Sequence, residues 1–189
     1  MFVLRRVHNL LLAPAAEWQT IRKEQLASVL VYLKYVIWMA ALPALGFLLG
    51  FWRAHMPVNF RAALLSYLIL LIAVEGTANL THLLAPTFSS RRDLGPALAL
   101  VAFGFTPVFV AGVLVFLPVL GTLLWVAGII YAGYVIQLGL PVMLDTPADK
   151  AFPFMLAIVA IFAALLFLLA LLADAVFASG ILKFFGLHG

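Results

Sequence analysis

Hydrophobic residues occur in five long runs, which are separated by short stretches rich in Pro, Gly and charged residues. A membrane-spanning helix needs roughly 20 apolar residues, and each run is long enough to supply them. The pattern predicts spans over residues 28–52, 62–84, 94–117, 122–140 and 148–173. The expected fold class is therefore all-α: a polytopic membrane protein whose five transmembrane helices form one domain over residues 28–189.

Composition strengthens this assignment. Hydrophobic residues make up 67% of the 189-residue chain and charged residues only 10%, whereas soluble domains carry about 25% charged residues. The net charge of +4 would suggest nucleic acid in a soluble protein. Here the basic residues sit at the ends of the spans, so we expect a lipid bilayer as the surroundings and no nucleic-acid partner.

The first 27 residues precede the spans and form a separate N-terminal segment. Pro14 suits the first turn of a short helix in the run PAAEWQTIRKEQ. Trp18 and Ile21 are three residues apart and can share one face of that helix, with the charged Glu17 and Arg22 left in water. We expect a helix at the cytoplasmic interface of the membrane, anchored by Trp18. The alternative is a solvated arm.

The distribution of Lys and Arg predicts the orientation of the spans, because cytoplasmic loops carry an excess of positive charge. With the N-terminus inside, the basic residues on the inner side are Arg5, Arg6, Arg22, Lys23, Lys34, Arg91, Arg92 and Lys150. Those on the outer side are Arg53, Arg61 and Lys183, which makes eight against three. We expect a multi-pass protein of the cell inner membrane with a cytoplasmic N-terminus and an outer C-terminus.

The second span carries the most unusual polar residues. Glu75, Asn79 and His82 follow the spacing i, i+4, i+7 and share a helical face. Ionisable residues inside a span are costly and usually face the protein interior or water. One interpretation is a pathway for a proton or cation, or a pocket for a ligand. The other is structural, with a protonated Glu75 bonded to a neighbouring helix.

The fourth span offers Tyr131, Tyr134 and Gln137, each three residues from the next. These side chains could face Glu75 and complete a polar interior or ion pathway. The alternative is ordinary aromatic decoration near the membrane interface.

Several residues predict breaks, caps and close contacts. Thr106 and Pro107 predict a kink in the third span, where the Thr hydroxyl can bond a carbonyl that the Pro leaves free. Gly139-Leu140-Pro141 predicts the end of the fourth span. Thr146 and Pro147 predict the start of the fifth helix, with Thr146 as its cap rather than part of a metal site. Gly46 and Gly50 form a GxxxG pattern that permits close helix contact.

Motifs for catalysis and cofactors are missing from the sequence. The chain has no cysteine, and it contains no HExxH, P-loop or GxGxxG pattern. Its histidines, residues 8, 55, 82 and 188, are scattered. We therefore expect no catalytic residues, metal site or cofactor, and we expect that the protein is not an enzyme.

Four stretches in order resemble the bacterial branch of the Yip (Ypt-interacting protein) family of membrane proteins. They are LLLAPAAEWQTI before the first span, LAPTFSSRRD after the second, FGFTPVFVAGVLVFLPVLG in the third, and YAGYVIQLGLPVMLDTPADKA across the fourth and fifth. The resemblance implies five helical spans and a cytosolic N-terminus. Eukaryotic members of that family are linked to Rab GTPases and vesicle traffic. Two departures are Ser89-Ser90, where the family usually has Gly, and Gln137, where Tyr is frequent.

Two functional hypotheses follow. The first is a non-enzymatic scaffold or adaptor in membrane organisation or trafficking, which binds a membrane-protein partner or forms a homo-oligomer. The second is a small transporter or channel for protons, cations or a lipid-like molecule, which uses the polar face of the second span. An intramembrane enzyme ranks below both, because no nucleophile–base pair is recognisable.

Overall fold

The computed structural model describes residues 2–55 and 60–178, and this part of the chain consists of helices joined by short turns and loops, without strands. A π-helical turn at Tyr32–Val36 and a 3₁₀ turn at Ala85–Phe88 accompany the α-helices. The α-helices are α1 (Phe2–Leu12), α2 (Pro14–Glu24), α3 (Ser28–Val31), α4 (Ile37–Arg53), α5 (Phe60–Leu84), α6 (Leu94–Gly104), α7 (Thr106–Gly112), α8 (Pro118–Leu144) and α9 (Ala148–Ala178). Lys183, which the sequence analysis placed on the outer side, and His188 lie outside the described residues.

Five helical segments in the described part of the chain are long and apolar enough to cross a membrane, which confirms the predicted number. They cover Ser28–Arg53, Phe60–Phe88, Leu94–Gly112, Val119–Leu144 and Ala148–Ala173. We refer to them as the first to fifth spans. The predicted start of the first, third and fifth spans at residues 28, 94 and 148 agrees with the structure.

The boundary between the third and fourth spans differs from the prediction. The third span ends at Gly112, a turn follows over residues 113–117, and α8 begins at Pro118. The predicted helix break at Gly139-Leu140-Pro141 is wrong, because α8 continues through it to Leu144. Proline removes only one helical hydrogen bond, and Gly139 is packed against side chains of α2 and α6 that hold this stretch in place.

The third span forms the centre of the bundle. Every residue from Ala97 to Gly104 is buried, as expected for a helix that is hydrophobic on all sides. Helix α6 packs against α3, α5 and α8, whereas α7 packs against α4 and α8. On the periphery, α5 also packs against α4 and α9, and α9 packs against α8.

Helices α1 and α2 form an N-terminal hairpin that packs along the last part of α8. Three hydrogen bonds fix its position, from Tyr131 to Leu11, from Trp18 to Val135 and from Arg22 to Val142. Leu11 and Arg22 therefore lie beside residues 131 and 142, so α2 runs in the same direction as α8. At 1.5 Å per residue, Tyr131 lies roughly 20 Å before the end of α8. The hairpin therefore packs along about this length of the helix.

The helix predicted after Pro14 is thus present, but its surroundings differ from the expectation. Trp18 is 0% exposed and cannot anchor in lipid. Glu17, expected in water, is only 5% exposed. Both corrections have one cause, since the face that carries these residues and Ile21 packs against the bundle.

Candidate functional site

An exposed stripe of α5 carries the polar residues of the second span. Its members are Leu64, Leu68, Ile72, Glu75, Asn79 and Leu83, of which Asn79 is half-buried and the others are exposed. They are separated by three or four residues, the spacing of one helix face. We call this surface the Glu75 flank.

Glu75 lies near the middle of the second span, roughly 20 Å from each end at 1.5 Å per residue. Asn79 donates from Nδ2 to Glu75 Oε1 at 3.0 Å and to the Glu75 carbonyl at 2.8 Å. Among the described residues, the Glu75 carboxylate has no hydrogen-bond partner on another helix. The structure therefore does not contain the interhelical bond that a purely structural role for Glu75 requires.

His82 belongs to a different environment from Glu75, although both lie on α5. Its Nε2 atom accepts a hydrogen bond from Arg92 Nε at 3.3 Å, which ties the end of the helix to the following loop. His82 Nδ1 is buried without a partner among the described residues. His82 therefore fixes the loop after the second span. It is not a member of the Glu75 flank.

The fourth-span residues are not brought together with Glu75. The Tyr131 hydroxyl donates to the Leu11 carbonyl at 2.8 Å, so it holds the N-terminal hairpin. Tyr134 is 50% exposed and its ring centre lies 5.6 Å from that of Tyr131. Gln137 is half-buried. Because α8 packs mainly on α2, α6, α7 and α9, these side chains do not complete a polar interior with α5.

A buried ion-pair network inside the N-terminal hairpin was missed by the sequence analysis. Arg6 is 1% exposed and pairs with both Glu17 and Glu24 of α2. Asn9 donates to the second oxygen of Glu17 at 2.8 Å, and the Arg6 guanidinium lies 5.3 Å from the ring centre of Phe103 in the third span. The available signal is the seven-residue spacing of the two glutamates, which places them on one helix face.

Trp18 fixes this hairpin to the fourth span. Its indole N–H donates to the Val135 carbonyl at 2.8 Å. The ring lies so close to Gly139 that an added Cβ would be 2.6 Å from Trp18 Cε2 and 2.6 Å from Leu100 Cδ1. Gly139 therefore provides the space in which the indole packs against α8.

A second buried hydrogen-bond chain joins the first span to the break in the third. The break that Thr106 and Pro107 predict lies at Phe105. Pro107 has no N–H, which leaves the carbonyl of Phe103 without its helical donor. The Thr106 hydroxyl donates to that carbonyl at 2.6 Å, and Tyr35 of the π-helical turn donates to Thr106 at 2.6 Å.

Polar groups also gather at the end of the bundle that carries the N-terminal hairpin. Arg22 lies 2.8 Å and Arg91 3.6 Å from carboxylate oxygens of Asp145. Lys150 donates to Ser89 at 2.7 Å. These bonds tie α2, the loop after the second span and the loop before α9 together.

Thr146 and Pro147 both precede α9, which begins at Ala148. The residue directly before the helix is Pro147, and the Thr146 hydroxyl pairs with Ser90 at 2.8 Å. Thr146 thus contacts the loop after the second span. A cavity of about 390 Å³ opens beside this region, between α2, α6 and the end of α8, with Arg22, Arg91 and Asp93 at its polar side.

Within residues 2–55 and 60–178, no three His, Asp or Glu side chains are grouped so that they could hold a metal ion. A comparison with known families identifies the chain by its overall pattern. The Yip1 domain matches residues 9–172. The chain belongs to the Yip1 domain family. No curated protein and no solved structure shows significant similarity to it.

The Yip1 domain begins at Asn9 and ends at Leu172. It therefore includes α2 and the membrane-spanning helices. The hydrogen bonds from Asn9 to Glu17 and from Trp18 to Val135 also lie within it. Arg6 lies just ahead of the matched residues. Most of the hairpin therefore lies within the matched residues.

Proposed function

We propose that this Yip1-domain protein is a non-enzymatic membrane adaptor, which binds a transmembrane helix of a partner protein along the Glu75 flank. The observation that supports this proposal is the exposed Glu75 carboxylate in the middle of a span. A charged side chain at the centre of a membrane helix costs on the order of 3 kcal/mol on insertion scales. A partner that supplies a hydrogen-bond donor offsets this cost.

The shape of the flank supports a helical partner. Its exposed residues follow the three- and four-residue spacing along which two helices pack together. Glu75 and Asn79 stand among leucines and isoleucine, and a polar position in such a seam fixes which partner and which register are accepted. The partner that fits is a membrane helix with an amide, hydroxyl or basic side chain at the level of Glu75.

A second copy of the same chain fits this surface less well. In a two-fold symmetric dimer the same patch meets itself, so two Glu75 carboxylates would approach each other. Two carboxylates that are both ionised repel strongly in a low-dielectric environment. Charge complementarity therefore favours a different protein that carries a donor.

The transporter hypothesis has less support than the adaptor. It requires the polar residues of the second and fourth spans to line a shared pathway. Glu75 is on the outer flank of α5, whereas Tyr131 is engaged by the Leu11 carbonyl. These side chains lie on helices that are separated by the third span.

We further propose that the N-terminus and the end of the bundle at which α2 ends face the cytoplasm across a bacterial inner membrane. Positive charge at that end supports this orientation: Arg22, Arg91 and Lys150 lie there, and Arg53 lies at the other end. The chain has no cysteine, so single Cys variants test the orientation. A membrane-impermeant maleimide applied to intact cells should label H55C and leave Q25C unlabelled; the reverse pattern contradicts it.

Photo-crosslinking in the native membrane tests the adaptor function. A photoreactive residue replaces Ile72, which is 56% exposed on the Glu75 flank. The control position is Ile130 of α8, which is 71% exposed on another side of the bundle. We expect a discrete protein adduct at position 72 alone. Adducts with lipid only, or equal protein adducts at both positions, contradict the proposal.

A further inference from the structure

An apolar cavity of about 380 Å³ lies between the helices of the bundle, towards the end opposite the N-terminal hairpin, with the exposed residues Phe47 and Ala170 in its wall. Each span contributes to its wall, through Phe47, Ser66, Gly112, Trp125 and Ala170 in chain order. Its volume falls within the range of roughly 300–1,000 Å³ that is usual for small-molecule sites. The cavity therefore has the size of a binding site, and it lies among membrane-spanning helices.

The chemistry of the wall favours an apolar occupant. Among the described residues that line it, Ser66 and Trp125 alone carry polar side-chain atoms. The Ser66 hydroxyl already donates to the Ala63 carbonyl of its own helix at 2.8 Å. A buried water needs two to four polar partners, and a hydrated ion needs more. A hydrocarbon chain meets the wall without loss of hydrogen bonds.

A groove of about 270 Å³ lies beside the cavity, between the first span and the turn after α7. Phe47 and Val115 line both spaces, so the groove and the cavity are direct neighbours. The groove reaches Ala54 and Phe116. At that end Arg53 donates to the Phe116 carbonyl at 3.2 Å and remains exposed.

Close helix contact determines where the groove begins. A Cβ added at Gly46 would clash with the carbonyl oxygen of Gly112, and one added at Gly112 would lie 2.6 Å from Pro43 Cγ. The first and third spans therefore touch at this level. Beyond Gly112 the chain leaves the helix in the turn over residues 113–117, and the space between the two spans opens.

We propose that the cavity and groove bind one acyl chain of a phospholipid, whose phosphate group lies at Arg53. The bilayer supplies hydrocarbon chains to every opening between spans, and burial of a chain is favourable in proportion to its apolar area. The guanidinium of Arg53 provides the donors that suit a phosphate. The site is distinct from the Glu75 flank and does not depend on the partner proposed there.

Lipid titration of the purified full-length protein, followed by native mass spectrometry, tests the proposal. The probe is dipalmitoyl phosphatidylglycerol, and the dihexanoyl lipid with the same head group tests the need for a long chain. The variant A170F places a ring in the cavity. We expect its affinity for the long-chain lipid to fall about tenfold, because the ring displaces methylene groups of the bound chain. The short-chain lipid should bind more weakly to the wild type.

The matched control is A164F, which changes the same residue type on the same helix, outside the cavity wall. It should bind the long-chain lipid as the wild type does. Equal binding by all three proteins, or an equal loss in both variants, overturns the proposal. If A170F does not fold, I69F fills the same cavity from the second span and is read in the same way, with L80F as its control.

The head-group contact is tested separately. Wild type should prefer phosphatidylglycerol to phosphatidylcholine of the same chain length, and R53K should retain this preference because it keeps the charge. R53Q should abolish it. A preference that is unchanged in R53Q, or absent from the wild type, overturns the assignment of the phosphate to Arg53.

Discussion

The Glu75 carboxylate accepts a hydrogen bond from the Asn79 side chain, its neighbour one turn along the same helix, at 3.0 Å. This pair is local to α5, and the carboxylate side chain is exposed. Its position in the middle of a span is consequently not explained by packing within the described residues.

Replacement of Glu75 by Leu should leave the fold intact. The variant removes a carboxylate that has no partner on another helix among the described residues, and it adds a side chain that lipid accommodates. We expect an unchanged or higher melting temperature in detergent, measured by the change in intrinsic fluorescence. A melting temperature several degrees lower would indicate that Glu75 stabilises the bundle, contrary to the geometry described here.

Gly139 should be among the least replaceable glycines of the spans. A Cβ there would lie 2.6 Å from Trp18 Cε2, and the indole cannot withdraw without losing its hydrogen bond to Val135. We expect G139A to lower the free energy of unfolding by about 1–3 kcal/mol, the usual cost of overpacking a core. Thermal unfolding of the purified protein measures the effect.

Gly50 provides the matched control for that substitution. A Cβ at Gly50 would lie 3.9 Å from the nearest atoms of Phe116, which is ordinary contact. Because Ala favours a helix over Gly by about 1 kcal/mol, G50A should be neutral or stabilising. Equal effects of the two substitutions would show that the packing of Trp18 against α8 is not tight.

The buried pair of Arg6 and Glu17 should hold the N-terminal hairpin together. Removal of one member of a buried ion pair typically costs about 3–5 kcal/mol, because the other charge remains buried. We expect R6M to destabilise the protein within this range. The double variant R6M/E17M should recover part of the loss, since neither charge is then left alone.

The control for Arg6 is its exposed neighbour Arg5. Surface charges contribute little to stability, so R5M should change the free energy of unfolding by less than about 0.5 kcal/mol. Additive effects of R6M and E17M in the double variant would contradict the coupling between these residues.

Hydropathy alone was sufficient to predict the number of spans and most of their ends, because burial in lipid requires long apolar helices whatever their arrangement. The turn after the third span was harder to place. Residues 113–117 are as apolar as a span, and the helix nevertheless ends at Gly112, which packs against Pro43 of the first span. The continuation of α8 through Pro141 likewise depends on tertiary contacts at Gly139.

Hydrogen bonds could be predicted from the sequence only where both partners are neighbours in the chain. The Phe103 carbonyl, freed by Pro107, receives the Thr106 hydroxyl three residues away. Tyr35 completes that chain from another span, and no spacing rule indicates it. The pair of Arg6 and Glu17 was missed for a different reason, because charged residues are mostly exposed.

The same limit applies to the candidate site. The spacing of Glu75 and Asn79 placed them correctly on one helix face, but it did not tell which way that face points. The structure directs it outward. Tyr131 could not be placed from spacing either. Its hydroxyl donates to the carbonyl of Leu11, and this contact depends on where the N-terminal hairpin packs.

Native mass spectrometry of the protein, extracted mildly from its own membrane, tests the adaptor proposal most directly. The samples are wild type, E75L and the control Y134L, which removes an exposed polar residue from the fourth span. We predict one bound partner protein in wild type and Y134L, and its loss from a folded E75L. A bare monomer, a homodimer, or a partner retained by E75L would contradict the proposal.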